Sequence, residues 1–334
     1  MEEVRQAEVY GVRPKRTWRE AATRYLSEGT KATLREDARQ LKYLDPYIGD
    51  LPLEAVHMGT LQQFINGRKH QGIRKEEHKV KAVRKRTINS ALQTVRHILN
   101  LAASEWLDER GQTWLLHAPK IKLLKEDDKK EPYPLSWGEQ TRLFAELPPY
   151  LAKAALFAVN TGCRDQEVCN LLWEWEQPVP QLDTTVFIIP ARFLEEDKGV
   201  KNRTARLVIL NRFARVVVEE MRNVHPTHVF SHKGRPLYSI YGTVWKNSRK
   251  RAGLTDVRVH DLKHTFGRRL RAAGVGFEDR QDLLGHKSNR ITTHYSAPEL
   301  ESLIAAANKV CPDERHKTDT MVILRRKNHL VAIS

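Results

Sequence analysis

Five short stretches in the second half of the chain carry residue types that act on phosphate. In Thr161-Gly162-Cys163-Arg164-Asp165-Gln166-Glu167 an apolar helix stops at a glycine suited to the left-handed conformation. Arg164 then opens the next helix, and Glu167 follows one turn later, near enough to orient its guanidinium. In His260-Asp261-Leu262-Lys263-His264, helical spacing puts His260, Lys263 and His264 on one face. Leu283-Leu284-Gly285-His286 ends a helix at a glycine and leaves His286 just past its C-terminus. Thr292-Thr293-His294-Tyr295-Ser296 places Tyr295 nine residues after His286. The fifth stretch, Lys198-Gly199-Val200-Lys201-Asn202-Arg203, is a turn between two strand-like runs, with Lys201 near its middle.

Each stretch alone has a plainer explanation. A lone tyrosine is usually a core or interface residue, and an arginine near a helix start is usually on the surface. The HxxxH spacing of His260 and His264 is compatible with a metal pair, but the glutamate of an HExxH motif is missing and no third ligand is evident. Together the residues make a cationic, donor-rich set suited to the negative charge that builds on a phosphoryl group under attack. No metal and no cofactor are expected.

The ordered set resembles the tyrosine recombinases, the family of phage integrases and chromosome-dimer resolvases. Its TGLR-like motif matches Arg164, with an acidic buttress at Glu167; its HxLRH motif matches His260 to His264, and its LGH motif matches Gly285-His286. Its nucleophilic tyrosine, nine residues later, matches Tyr295. Its β-turn lysine, counted back from Val208, matches Lys201, with Lys198 as second candidate. The resemblance covers the C-terminal half and is looser in the N-terminal half. It implies that Tyr295 attacks a DNA phosphate to form a 3′-phosphotyrosyl link within a cluster of Arg164, His260, Lys263 and His286, with Lys201 as general acid. Strand exchange would then pass through a Holliday junction held by four protomers. One position departs: the family's second arginine is Lys263, a point charge in place of a bidentate fork.

Several elements must position these residues. Residues 1–16 read as a polar arm, 17–122 as a helical DNA-binding domain, 123–134 as a charged linker, 135–310 as the catalytic domain and 311–334 as a tail. In the first half, Thr17-Trp18-Arg19-Glu20 is a capping box. A second helix runs through Leu34, Ala38, Leu41 and Leu44 and is expected to stop near Pro46 and Gly49. A third starts near Thr60, and the longest, from about Thr87, buries a stripe from Ile88 to Trp106. A basic run between these last two, with Arg74, Lys75, Lys79, Lys81, Arg84, Lys85 and Arg86, is either a solvated loop or a track for phosphates. In the second half, helices are expected near 137–146, 149–160, 165–172, 212–222, 239–252, 261–273, 278–285 and 298–310, with strands at 186–190 and 207–210. The fold class is thus an α-helical N-terminal bundle plus an α+β C-terminal domain, mostly helical with a small antiparallel sheet. The resemblance makes this a two-domain clamp around DNA.

Composition sets the class of partner. Among 334 residues, Lys+Arg 57 against Asp+Glu 41 gives a net charge of +16, which attracts nucleic acid. Cys163, Cys169 and Cys311 fit neither a disulfide framework nor a zinc spacing, so reduced thiols in a cytoplasmic, nucleoid-associated protein are expected. No stretch reads as a signal peptide or membrane span. The expected partners are double-stranded DNA, further copies of the chain (a tetramer on two DNA sites, with a monomer allowed in free solution) and accessory DNA-bending proteins. Two other functions stay open: strand relaxation in the manner of a type IB topoisomerase, and DNA binding without chemistry.

Overall fold

The chain folds into two units, residues 1–130 and 131–334, each with its own core. The computed structural model describes residues 13–70, 83–192, 204–286 and 296–311. Arg74, Lys75, Lys79, Lys81, Lys198, Lys201 and Tyr295 therefore lie outside the described residues.

The first unit is built from α1 (Trp18–Glu28), α2 (Leu34–Ile48), α3 (Gln62–His70) and α4 (Lys85–Ser104). The capping box forms: Thr17 accepts from the Glu20 amide and Glu20 accepts from the Thr17 amide, satisfying donors that a helix start leaves open. Helix α2 ends at Ile48 with Gly49 as its C-cap, at the stop expected near Pro46 and Gly49, and Pro46 itself lies inside the last turn. A proline in the last turn removes one backbone donor only, and Leu44 and Ile48 on either side of it are fully buried, which holds the turn. Ile88, Leu92, Val95, Ile98 and Leu99 of α4 have no exposed surface and pack against Trp18, Leu44, Phe64 and Ile65. Ile121 joins the same core, and the Asn89 side chain both donates to the Leu124 carbonyl and accepts from its amide.

The second unit contains α5 (Trp137–Ala145), α6 (Pro149–Thr161), α7 (Asp165–Cys169), α8 (Arg212–Glu220), α9 (Thr243–Arg251), α10 (His260–Ala272), α11 (Phe277–Leu284) and α12 (Ala297–Asn308). Its sheet is antiparallel, in the order β1 (Glu176–Val179), β2 (Thr184–Ile189), β3 (Arg206–Val208), with Phe187 paired to both Glu176 and Val208. A short hairpin joins β4 (Ser231–His232) and β5 (Arg235–Pro236). The sequence reading anticipated β2 and β3 but not β1 or the hairpin. β1 reads Glu-Gln-Pro-Val, with no alternation, and its proline is tolerated because β1 is an edge strand. Helices α7 and α9 are shorter than expected.

Helix α6 is the axis of this unit, packing against α8 on one side and α10 on the other. Its apolar residues are buried nearly all round, from Leu151 to Val159. Helix α12 buries Leu303, Ala306 and Ala307 against Phe266 and Leu270 of its own unit. No helix among the described residues is long and apolar enough to cross a membrane.

Candidate active site

Two helix ends and one helix start deliver the site. Helix α6 ends at Gly162 in the left-handed region (φ 63), and α11 ends at Gly285 in the same region (φ 57). Behind Gly285, the His286 amide donates to Gln281 and the Gly285 amide to Asp282, the paired bonds of a Schellman cap. Both glycines are needed twice over. A Cβ on Gly162 would lie 2.8 Å from the Phe266 ring, and one on Gly285 would lie 2.6 Å from the Arg206 Nε. The chain leaving the first cap presents Arg164, and the chain leaving the second presents His286. Helix α10 starts at His260 and brings Lys263 and His264 round on the same side.

These residues meet in one cleft of about 1010 Å³. Arg164, His260, Lys263, His264 and His286 all line it. Arg268, Arg271 and Arg280 extend the lining, and among the described residues no aspartate or glutamate lines it. The cleft is therefore a positive depression suited to a polyanion.

Glu167 sits behind the cleft, 3% exposed, and organises its cations. Its Oε1 accepts from Arg164 Nη1 at 2.6 Å, and its Oε2 accepts from the Arg164 amide at 2.8 Å. Oε2 also accepts from Nη1 of Arg206. Burial pushes the Glu167 carboxyl up, but Arg206 and the donors of Arg164 outweigh it and hold the group below the usual carboxylate range.

Arg206 is the residue that sequence reasoning missed. It lies on β3, where period-two alternation puts it on the same inward face as Val208, and an arginine on a buried strand face requires a partner. That alternation was the available signal. Arg268, Arg271 and Arg280 were missed as well, being one to three turns from the motifs that drew attention.

Lys263 is placed differently from the phosphate-facing point charge that the sequence suggested. It is 5% exposed, and its ammonium donates to the carbonyl of Gly162 at 2.9 Å and to that of Leu284. Burial, then Arg206 and Arg164, push its pKa down to about 7. Partial burial also lowers His260, His264 and His286, helped by neighbouring cations such as Lys263 and Arg164. The shift favours the neutral imidazole, which has one N–H to donate. The His260 and His264 rings meet edge to face at 4.7 Å between centroids. Among the described residues no group of three or more His, Cys, Asp or Glu side chains is arranged to hold a metal ion.

Of the basic run, Arg84, Lys85 and Arg86 are described. Lys85 bonds both oxygens of Asp127, at 2.6 and 2.7 Å, and Arg86 lies 3.7 Å from Glu126. Arg84 is exposed at the N-cap of α4.

The model of the phage integrase family matches residues 140–324, more than half of the chain. The chain belongs to that family. It is a tyrosine recombinase, an enzyme of the site-specific DNA strand transferase class. The integrase of Salmonella phage P22 is 24% identical over 316 residues, spanning 86% of this chain and 77% of the phage protein. The tyrosine recombinase XerC of Bacillus subtilis (strain 168) is 25% identical over 246 residues, 66% of this chain and 74% of the relative. Among solved structures, a lambda integrase dimer bound to a COC′ core site shares the fold with a TM-score of 0.60 at 18% identity, covering 84% of this chain and 99% of that one. The Tn1549 transposon integrase in complex with transposon right-end DNA gives 0.62 at 16% identity, covering 82% of this chain and 92% of that one. This recombinase therefore has the fold class expected from its sequence.

Proposed function

We propose that this recombinase cuts and rejoins DNA strands with Tyr295 as nucleophile and the cleft around Arg164 as the phosphate site. The observation that carries the reading is the convergence of Arg164, His260, Lys263, His264 and His286 on one cleft whose described lining holds no carboxylate. A phosphodiester is anionic, and attack on it adds charge to the non-bridging oxygens. Donors already fixed around those oxygens stabilise that charge without reorganising.

In the proposed step the Tyr295 Oη forms a bond to phosphorus and gives up its proton to solvent. The bond from phosphorus to the 5′-oxygen breaks, and Lys201 supplies the proton that the departing oxygen takes. Arg164, fixed by Glu167, donates to the non-bridging oxygens together with His260 and His286. An anion in the cleft draws the three imidazoles back toward their charged forms. The phosphotyrosyl link conserves the energy of the broken bond, so a 5′-hydroxyl from a second strand reverses the step without ATP. Double-stranded DNA is the partner, with 17–122 as a second DNA-contacting half and Arg84 among its phosphate contacts. Four protomers on two sites complete the exchange through a Holliday junction. A lambda integrase tetramer bound to such a junction, 17% identical with a TM-score of 0.59, supports that assembly. A cytoplasmic, nucleoid-associated location follows from the same reading.

A nicked DNA substrate, whose cleaved end diffuses away, traps the intermediate. Wild type should give an adduct stable to denaturant, and Tyr295→Phe should give none. Equal behaviour of the two proteins would overturn the reading.

A further inference from the structure

Arg206 ties together a carboxylate and two helix ends behind the cleft. Its side chain is 2% exposed. Nη1 donates to Glu167, while Nη2 donates to the carbonyl of Thr161 at 3.1 Å and reaches that of Leu283 at 3.4 Å. Those carbonyls belong to the last turns of α6 and α11, the helices that end just before Arg164 and His286. The guanidinium also lies against the backbone of Gly285, where a Cβ would come within 2.6 Å of Nε and 3.1 Å of Cζ. Its Nε has no hydrogen-bond partner among the described residues.

We infer that Arg206 is a positioning residue for strand transfer, its planar fork fixing Glu167 and two helix ends so that Arg164 and His286 stand at their working separation. The inference rests on the strand-transfer reading above. Fold stability is a poor reason for such a residue. A buried ion pair recovers little beyond its own desolvation, and apolar side chains of similar volume often serve as well or better. What an apolar residue cannot supply is a rigid set of donors in one plane. One edge of the fork takes the Oε2 of Glu167, and the same carboxylate takes the Arg164 guanidinium on its Oε1. The other arm takes the two carbonyls. Moving the fork moves both groups that would face the phosphate, and a displacement of an ångström at a reacting centre costs about a hundredfold in rate.

Lysine in place of Arg206 keeps the charge and loses the fork, which makes Arg206→Lys the informative variant. Adduct formation on nicked DNA is followed in wild type, Arg206→Lys, Arg164→Lys and the double variant, with DNA affinity and the thermal midpoint measured alongside. We expect Arg206→Lys to slow adduct formation at saturating DNA by about tenfold to a hundredfold while leaving DNA affinity within a few-fold. In the Arg164→Lys background the same change should cost clearly less than in wild type, because the Arg164 half of what Arg206 positions is already lost and only His286 remains to be displaced. Additive losses, a wild-type rate for Arg206→Lys, or failure of Arg206→Lys to fold would each overturn the inference. Absence of an adduct with wild type would instead sink the strand-transfer reading itself, and this inference with it.

Discussion

Lys263 and Arg206 donate to adjacent carbonyls of the same two helix ends. Lys263 bonds Gly162 and Leu284, and Arg206 bonds Thr161 and Leu283. Two cations thus lace the C-terminus of α6 to that of α11, where unpaired carbonyls and the negative end of each helix dipole favour positive charge.

The Lys263 ammonium, pushed down to about 7 from an ordinary 10.5, gives the first prediction. Between those two values the unfolded chain holds a proton that the folded chain has released, so stability rises with pH across that window. Lys263→Met should flatten the rise, as read from urea midpoints of the two proteins; parallel slopes would show that Lys263 keeps its proton. Its surroundings are charged from every side, by Arg164, Arg206 and Glu167, with Cys163 beside them. The ammonium is lost as pH rises through about 7, whereas a guanidinium stays charged. Adduct formation by wild type should therefore fall relative to Lys263→Arg above that pH. A constant ratio of the two rates across neutrality would show that loss of the Lys263 proton does not limit the step.

Glu167 gives the second. Glu167→Gln leaves Arg164 and the buried Arg206 without their shared anion, at a cost of about 3–5 kcal/mol. Denaturant melts measure it, and a loss under about 1 kcal/mol would mean that the guanidiniums find other partners. The acid limb has a definite sign. The folded pKa lies below the ordinary 4.5, so the stabilisation is present above 4.5 and disappears as pH falls through the folded value. The Glu167→Gln protein should lack that part of the acid loss.

Gly285 and Gly274 make a matched pair for the third. Both have positive φ, 57 and 71, but a Cβ at Gly274 meets nothing within 4 Å while one at Gly285 meets Arg206. Gly274→Ala should cost only the left-handed strain, about 1 kcal/mol. Gly285→Ala should cost more in the same melts and should also slow adduct formation, because the collision displaces the fork. Equal costs would show that Arg206 yields freely.

A fourth concerns the chain entering the second unit. Asp261, fully buried, accepts from the Tyr133 amide at 3.1 Å and from Arg258 Nη2 at 2.8 Å. Burial pushes its carboxyl up, but Arg258 and the backbone donors hold it below the ordinary range. Asp261→Ala leaves the Arg258 guanidinium, 36% exposed, to solvent and removes the acceptor of the Tyr133 amide, at a cost of about 1–3 kcal/mol. Faster hydrogen exchange at Tyr133 is the specific readout, and unchanged exchange would mean that the segment is held elsewhere.

Much of this was legible in the sequence because it is local. A capping box needs residues three apart, as at Thr17 and Glu20. Gly162 and Gly285 announce helix ends through their own backbone freedom, and Arg164 reaches Glu167 within one helical turn. Spacing of this kind is fixed by chain geometry before anything folds, so the sequence alone determined the helices, their caps, strands β2 and β3 and the order of the phosphate-directed motifs. Tertiary structure decided what those motifs are tied to. Arg206 is separated from Glu167, Thr161 and Leu283 by 39, 45 and 77 residues. Lys263 is 101 residues from the Gly162 carbonyl that it binds. No local pattern encodes such a partner, because it exists only once α6, β3, α10 and α11 have packed. Packing also withdrew the water that would have kept Lys263 near its ordinary pKa. What the sequence presented as a lysine in an arginine's place is, in the folded chain, a buried clasp between two helix ends.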